Sequence, residues 1–124
     1  MPKVVVAGAI IQCSHLGTAK LPKGDKRLQI SNNPVVTAGQ EAQVSFAKGE
    51  PTTVSPCPFS TSQGLSPCSA TVAATAGKSI STLLMVGGAG VLLEKATGQA
   101  TNANDPLANW KVSDAGQSLL SVDH

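Results

Sequence analysis

The density of glycine and proline is the feature that most restricts the fold of this chain. The sequence has 12 glycines and 8 prolines among 124 residues. Inside a helix, glycine costs about 1 kcal/mol and proline about 3 kcal/mol relative to alanine. A coiled coil and a helical bundle are therefore excluded. No apolar run reaches the roughly 18 residues that a membrane-spanning helix needs.

Aromatic side chains are nearly absent, which predicts a thin core. They amount to 2% of the residues, namely Phe46, Phe59 and Trp110. Small domains with little core usually add a disulfide, a metal or a partner chain. The formal net charge of +2 is too small for a nucleic-acid face, and three aromatics do not make a base-stacking platform.

Short β-branched runs separated by turn residues predict a small, mainly β domain that occupies residues 1–124. Residues 28–30 and 35–37 flank an Asn-rich turn and predict one hairpin. Residues 83–86 and 91–93 flank Gly87-Gly88 and predict a second. Further strands are expected at 4–6, 10–11 and 110–112, and loops at 16–27, 48–68 and 102–106.

Two local patterns leave alternatives open. Residues 67–77 have helix-cap residues at both ends but also β-branched residues, so they predict either one short helix or a strand. The form Leu-x-Ile/Val recurs at 28–30, 84–86 and 120–122. It indicates either a fold of repeated hairpins or a chance similarity.

Three cysteines and one histidine form a candidate metal set. On a strand, Cys13 and His15 would share a face, while Cys57 and Cys68 each follow a proline that stiffens the backbone. Three thiolates and one imidazole complete a tetrahedral zinc site without an open position, which is typical of structural zinc. We expect one structural Zn²⁺ per chain.

Two other states of the cysteines remain open at the level of the residues. All three could be buried free thiols beside an exposed histidine. Alternatively, Cys57 and Cys68 could form a disulfide and leave Cys13 free. The second histidine, His124, is more typical of a frayed terminus than of a metal ligand.

No pattern in the sequence predicts an enzyme. A nucleophilic Cys13 paired with His15 would lack a third group to orient the base. The N-terminal segment lacks the features of a signal peptide, so we expect synthesis in the cytoplasm.

The segment VVAGAIIQCSHLGTA at 5–19, followed by LQI at 28–30, resembles the PAAR-like family, the spike-tip proteins of contractile injection systems. The resemblance continues through SPCPF at 55–59, SPC at 66–68, VGG at 86–88 and LSV at 120–122, and so covers essentially the whole chain. The tetrapeptide Pro-Ala-Ala-Arg does not occur, and the chain has one internal histidine where the family's site is His-rich.

The resemblance implies a small cone of β-hairpins with pseudo-threefold arrangement. It implies a structural tip that caps and sharpens a trimeric VgrG-like spike, one tip per trimer, and helps it pierce a target membrane. Effector cargo can accompany such a tip, and the assembled particle is released or membrane-anchored. The metal ligands it implies here are Cys13, His15, Cys57 and Cys68.

Two functions of other classes compete with a spike tip. One is a small zinc-binding adaptor that docks effector cargo or a partner protein. The other is a thiol-redox enzyme that depends on Cys13.

Overall fold

The computed structural model describes residues 2–74 and 79–122. This part of the chain is all β and contains no helix, so no helix in it is long and apolar enough to cross a membrane. The mainly β fold predicted from the sequence is confirmed.

The largest element is a curled six-stranded antiparallel sheet. Its spatial order is β5-β2-β1-β12-β11-β8. The bounds are β1 Ile10–Cys13, β2 Thr18–Lys20, β5 Thr53–Ser55, β8 Ala70–Thr71, β11 Thr97–Thr101 and β12 Asn109–Asp114. Because β1 pairs with β12 near the other end of the chain, Cys13 lies opposite Trp110.

Three two-stranded hairpins complete the described structure. They are β3 Asp25–Ile30 with β4 Asn33–Val35, β6 Ser60–Thr61 with β7 Gly64–Leu65, and β9 Ile80–Val86 with β10 Ala89–Leu92. Both hairpins predicted from the sequence are present. Their turns place Ser31, Asn32, Gly87 and Gly88 at positive φ, as tight hairpin turns with the sheet's twist require.

The loops predicted at 16–27 and 48–68 are wrong in part, because both contain strands. Residues 18–20 form β2, whose Ala19 is fully buried and lies opposite Ile11. Pairing with β1 therefore outweighs the nearby glycine and proline. The second predicted loop contains β5, β6 and β7, each only two or three residues long.

No helix forms in the described part of 67–77, which runs to residue 74. Thr71 lies in β8, where its backbone N–H donates to the Val44 carbonyl at 2.9 Å. β8 pairs with β11, where Thr71 lies opposite Ala100, and this pairing takes the place of the helical bonds that the cap residues favour. Residues 75–77 of this segment lie outside the described residues.

Buried side chains form two apolar clusters. The main cluster is centred on Trp110 and Phe46, both fully buried, and includes Cys13, Cys57 and Cys68. The second cluster contains both apolar residues of each Leu-x-Ile/Val segment, namely Leu28, Ile30, Leu84, Val86, Leu120 and Val122. The three similar segments therefore pack into the same cluster.

Candidate metal centre

Cys13, His15, Cys57 and Cys68 come together at the edge of the main cluster. One ligand atom from each lies within 4.8 Å of all the others. Thiolate sulfur and imidazole nitrogen around zinc would be about 3.5 to 3.8 Å apart, given the usual bond lengths. Modest side-chain rotations would close the set around one ion, so these four residues could hold a metal.

A tight turn after β1 places the first two residues of the set. β1 ends at Cys13, so His15 lies in the turn rather than on the strand, contrary to the expected shared strand face. The Cys13 N–H donates to the Gly17 carbonyl at 2.9 Å, which closes the turn. The Gly17 N–H in return donates to Cys13 Sγ at 3.2 Å.

Gly17 is required at this turn for a steric reason. A Cβ at residue 17 would lie 2.7 Å from the Cα of Cys57. No side chain can therefore separate the β1–β2 turn from the segment that carries Cys57. This close approach brings two ligand segments together.

Phe46 joins the other two ligand segments through its backbone. Its carbonyl accepts a bond from the Cys57 N–H at 2.9 Å, and its N–H donates to the Cys68 carbonyl at 3.1 Å. Because the Phe46 side chain is fully buried, these bonds attach both cysteines to the core. The β6–β7 hairpin lies between Cys57 and Cys68 in the sequence.

Both nitrogens of the His15 ring and one of its faces have partners. Its Nδ1 lies 3.7 Å from Cys68 Sγ, and its Nε2 lies 2.7 Å from Asp105 Oδ2. Phe59 stacks on the ring, with centroids 4.2 Å apart and an interplanar angle of 24°. The Asn102 amide lies 3.7 Å from Cys68 Sγ and also donates to the Ser66 carbonyl at 2.8 Å.

Burial favours the protonated form of Cys13 and Cys68 in the absence of a metal. The pKa of Cys68 is raised to about 12, mainly by burial; the Asn102 amide lowers it in part, and the neighbouring Cys13 and Cys57 raise it. Burial also raises the pKa of Cys13, although backbone N–H donors lower it in part. A metal ion would have to displace these protons.

All three cysteines are free thiols in this structure, without a disulfide between Cys57 and Cys68. The structure brings together all four candidate ligands predicted from the sequence. His124 lies outside the described residues.

Sequence reasoning missed Asp105, Phe46 and Gly17. The expectation that no third group would orient His15 is wrong, because the Asp105 carboxylate contacts its ring. Asp105 sits in a turn that pattern analysis predicted only as a loop, and its 2.7 Å contact with His15 depends on long-range packing.

The chain matches no protein-family model, no curated protein and no solved structure.

Proposed function

We propose that this protein is a structural, non-enzymatic tip for the trimeric spike of a contractile injection system, held together by one Zn²⁺ per chain. The observation that carries the proposal is the meeting of four ligand atoms from three separate segments at residues 13–15, 57 and 68. A bound ion would join these segments. A piercing tip needs such resistance to local opening.

The donor chemistry favours zinc. Three thiolates and one imidazole suit tetrahedral Zn²⁺, whereas oxygen-rich sets suit magnesium and calcium. The four protein ligands would fill the coordination sphere. This supports a structural ion rather than one that activates water.

The second apolar cluster supports docking on a trimer. Three similar Leu-x-Ile/Val segments contribute to it, as expected for a monomer that presents similar faces to three subunits. On β9, Leu84 and Val86 face this cluster, while the alternating Leu83 and Met85 are 69% and 55% exposed. We propose that the spike covers these two side chains.

Burial at the centre argues against a thiol enzyme. The triplet Cys68, His15 and Asp105 resembles the order of nucleophile, base and orienting acid. However, Cys68 is fully buried and its pKa is raised to about 12, so a substrate would meet neither an accessible sulfur nor a thiolate. The cavity beside Cys13 measures about 160 Å³, below the roughly 300 to 1,000 Å³ of ligand pockets.

Co-purification with a trimeric VgrG-like spike protein from the same genome tests the function. We expect a complex of one chain per spike trimer in light scattering. Met85→Lys should weaken the complex at least tenfold, because it places a charge in the proposed apolar contact. Leu65→Lys is the control, since Leu65 is also an exposed apolar side chain, at 69% against 55% for Met85, but lies in the β6–β7 hairpin.

Two results would contradict the proposal. One is a purified spike trimer that fails to bind the zinc-loaded protein. The other is an effector that binds the chain in the absence of the spike, which would favour the adaptor.

A further inference from the structure

The loop between β11 and β12 approaches two of the four candidate ligands. Asn102 places its amide by Cys68, and Asp105 places its carboxylate by His15. Both residues lie outside the ligand set. Their position indicates that this loop holds Cys68 and His15 in place.

The two oxygens of Asp105 have separate partners. Oδ1 accepts a bond from the Leu107 N–H at 3.0 Å, which fixes the carboxylate on its own turn. Oδ2 lies 2.7 Å from His15 Nε2. The carboxylate is therefore held at one end by backbone and contacts the imidazole at the other.

This contact determines which imidazole nitrogen faces the thiols. A carboxylate oxygen accepts hydrogen bonds, so the proton of a neutral His15 lies on Nε2. Nδ1 then carries the lone pair, and it is the nitrogen that lies 3.7 Å from Cys68 Sγ. Phe59, stacked on the ring, restricts its rotation to the alternative orientation.

We infer that Asp105 is a positioning residue of the metal centre, which holds His15 with its proton on Nε2 and presents Nδ1 to the ion. The inference rests on the proposed zinc site and adds a residue outside the ligand set. Partners that orient a ligating histidine typically contribute about 10- to 100-fold to metal affinity.

Asp105→Asn and Asp105→Ala test the inference in the full chain. Asn keeps the side-chain oxygen for the Leu107 N–H but places an amide N–H donor beside Nε2, which favours the proton on Nδ1, while Ala removes both contacts. We expect zinc affinity, measured by competition with a chelator, to fall about 10- to 100-fold in Asp105→Ala and at least as far in Asp105→Asn.

Asp114→Ala is the matched control for the loss of a carboxylate that accepts a bond from the backbone of its own turn. Asp114 Oδ1 accepts a bond from the Gly116 N–H at 2.9 Å, which is the same local contact that Asp105 makes with Leu107. Asp114 lies at the far end of β12, opposite Ile10, and does not contact His15. Its variant should bind zinc like the wild type.

Long-range ¹H–¹⁵N correlation spectra of the zinc-loaded protein give a readout that a merely structural role would not change. They should show the His15 proton on Nε2 and the metal on Nδ1, with His124→Ala used to assign the signals. Zinc on Nε2, or unchanged zinc affinity in Asp105→Ala, would overturn the inference and leave the zinc site standing. Failure of the wild-type protein to bind zinc would overturn both.

Discussion

The few aromatic residues of this chain are concentrated around the candidate metal centre. The Phe46 backbone binds both Cys57 and Cys68, Phe59 stacks on His15, and Trp110 lies opposite Cys13. Large side chains restrict the motion of their neighbours because they pack against many atoms. All three aromatic residues of this chain therefore lie beside candidate ligands.

The raised thiol pKa values predict that zinc binding releases protons. A raised pKa keeps Cys13 and Cys68 protonated at neutral pH in the metal-free protein, and zinc binds thiolates. At least two protons should leave per zinc bound. The apparent affinity should then rise about 100-fold per pH unit between pH 6 and 8.

Calorimetry in buffers of different ionisation enthalpy measures this release directly. The number of protons follows from the slope of the observed enthalpy against the buffer's own. A pH-independent affinity without released protons would show that Cys13 and Cys68 are already ionised, contrary to the effect of their burial on the pKa.

At the scale of single elements, the β3–β4 and β9–β10 hairpins have similar turns built from different residues. The β9–β10 turn uses Gly87 and Gly88, which adopt positive φ without a steric penalty. The β3–β4 turn places Ser31 at φ 53° and Asn32 at φ 69°. A left-handed backbone costs a non-glycine residue about 1 kcal/mol, and asparagine tolerates it better than serine.

Replacing Ser31-Asn32 with Asn-Gly should stabilise the protein. Asn-Gly is the preferred pair for this turn, so the free energy of unfolding should rise by about 0.5 to 1 kcal/mol in urea denaturation with saturating zinc. Gly88→Ser provides the opposite change in the other hairpin, where open space surrounds residue 88. It should lower the free energy of unfolding by a similar amount. An unchanged or less stable Asn-Gly variant would contradict this account of the turn.

The β3–β4 and β9–β10 hairpins could be predicted from the sequence because their determinants are local. An Asn-rich or Gly-Gly turn between two apolar runs specifies both the turn and the strand that must return. The pairing of β1 with β12 could not be predicted in the same way, because alternation of apolar residues does not identify a partner about 100 residues away. The short strands β6 and β7 have too few residues to show a period.

The same distinction applies to the metal centre. Cysteine and histidine are identifiable from residue type alone, so all four candidate ligands could be predicted. Asp105 and Phe46 could not, because acids and aromatics have many other roles and the sequence does not state which of them reach His15 or the cysteines. Their roles follow from contacts between distant segments, such as the Phe46 bonds to Cys57 and Cys68.

At the scale of the whole molecule, the two apolar clusters have different surroundings. The main cluster holds the candidate ligands at its edge, while the second collects the three Leu-x-Ile/Val segments beside the exposed Leu83 and Met85. This division is the arrangement we expect of a protein with a metal-fixed region and a separate docking face. The conical outline and the pseudo-threefold arrangement remain predictions.

Zinc could supply a large share of the folding free energy. Structural zinc contributes about 10 to 16 kcal/mol of apparent binding free energy in small peptides. Whole domains are stable by only about 5 to 15 kcal/mol. The binding free energy of an ion at this centre would therefore be comparable to the net free energy of unfolding of the whole chain.

Zinc content measured together with thermal unfolding tests this claim most directly. We predict one zinc per purified chain, and a large fall in the melting temperature when a chelator removes it. Cys57→Ser and Cys68→Ser should each lose the ion, whereas the exposed Ser62→Ala should retain it with an unchanged melting temperature. A chain that purifies without metal and unfolds at the same temperature with and without added zinc would contradict the account.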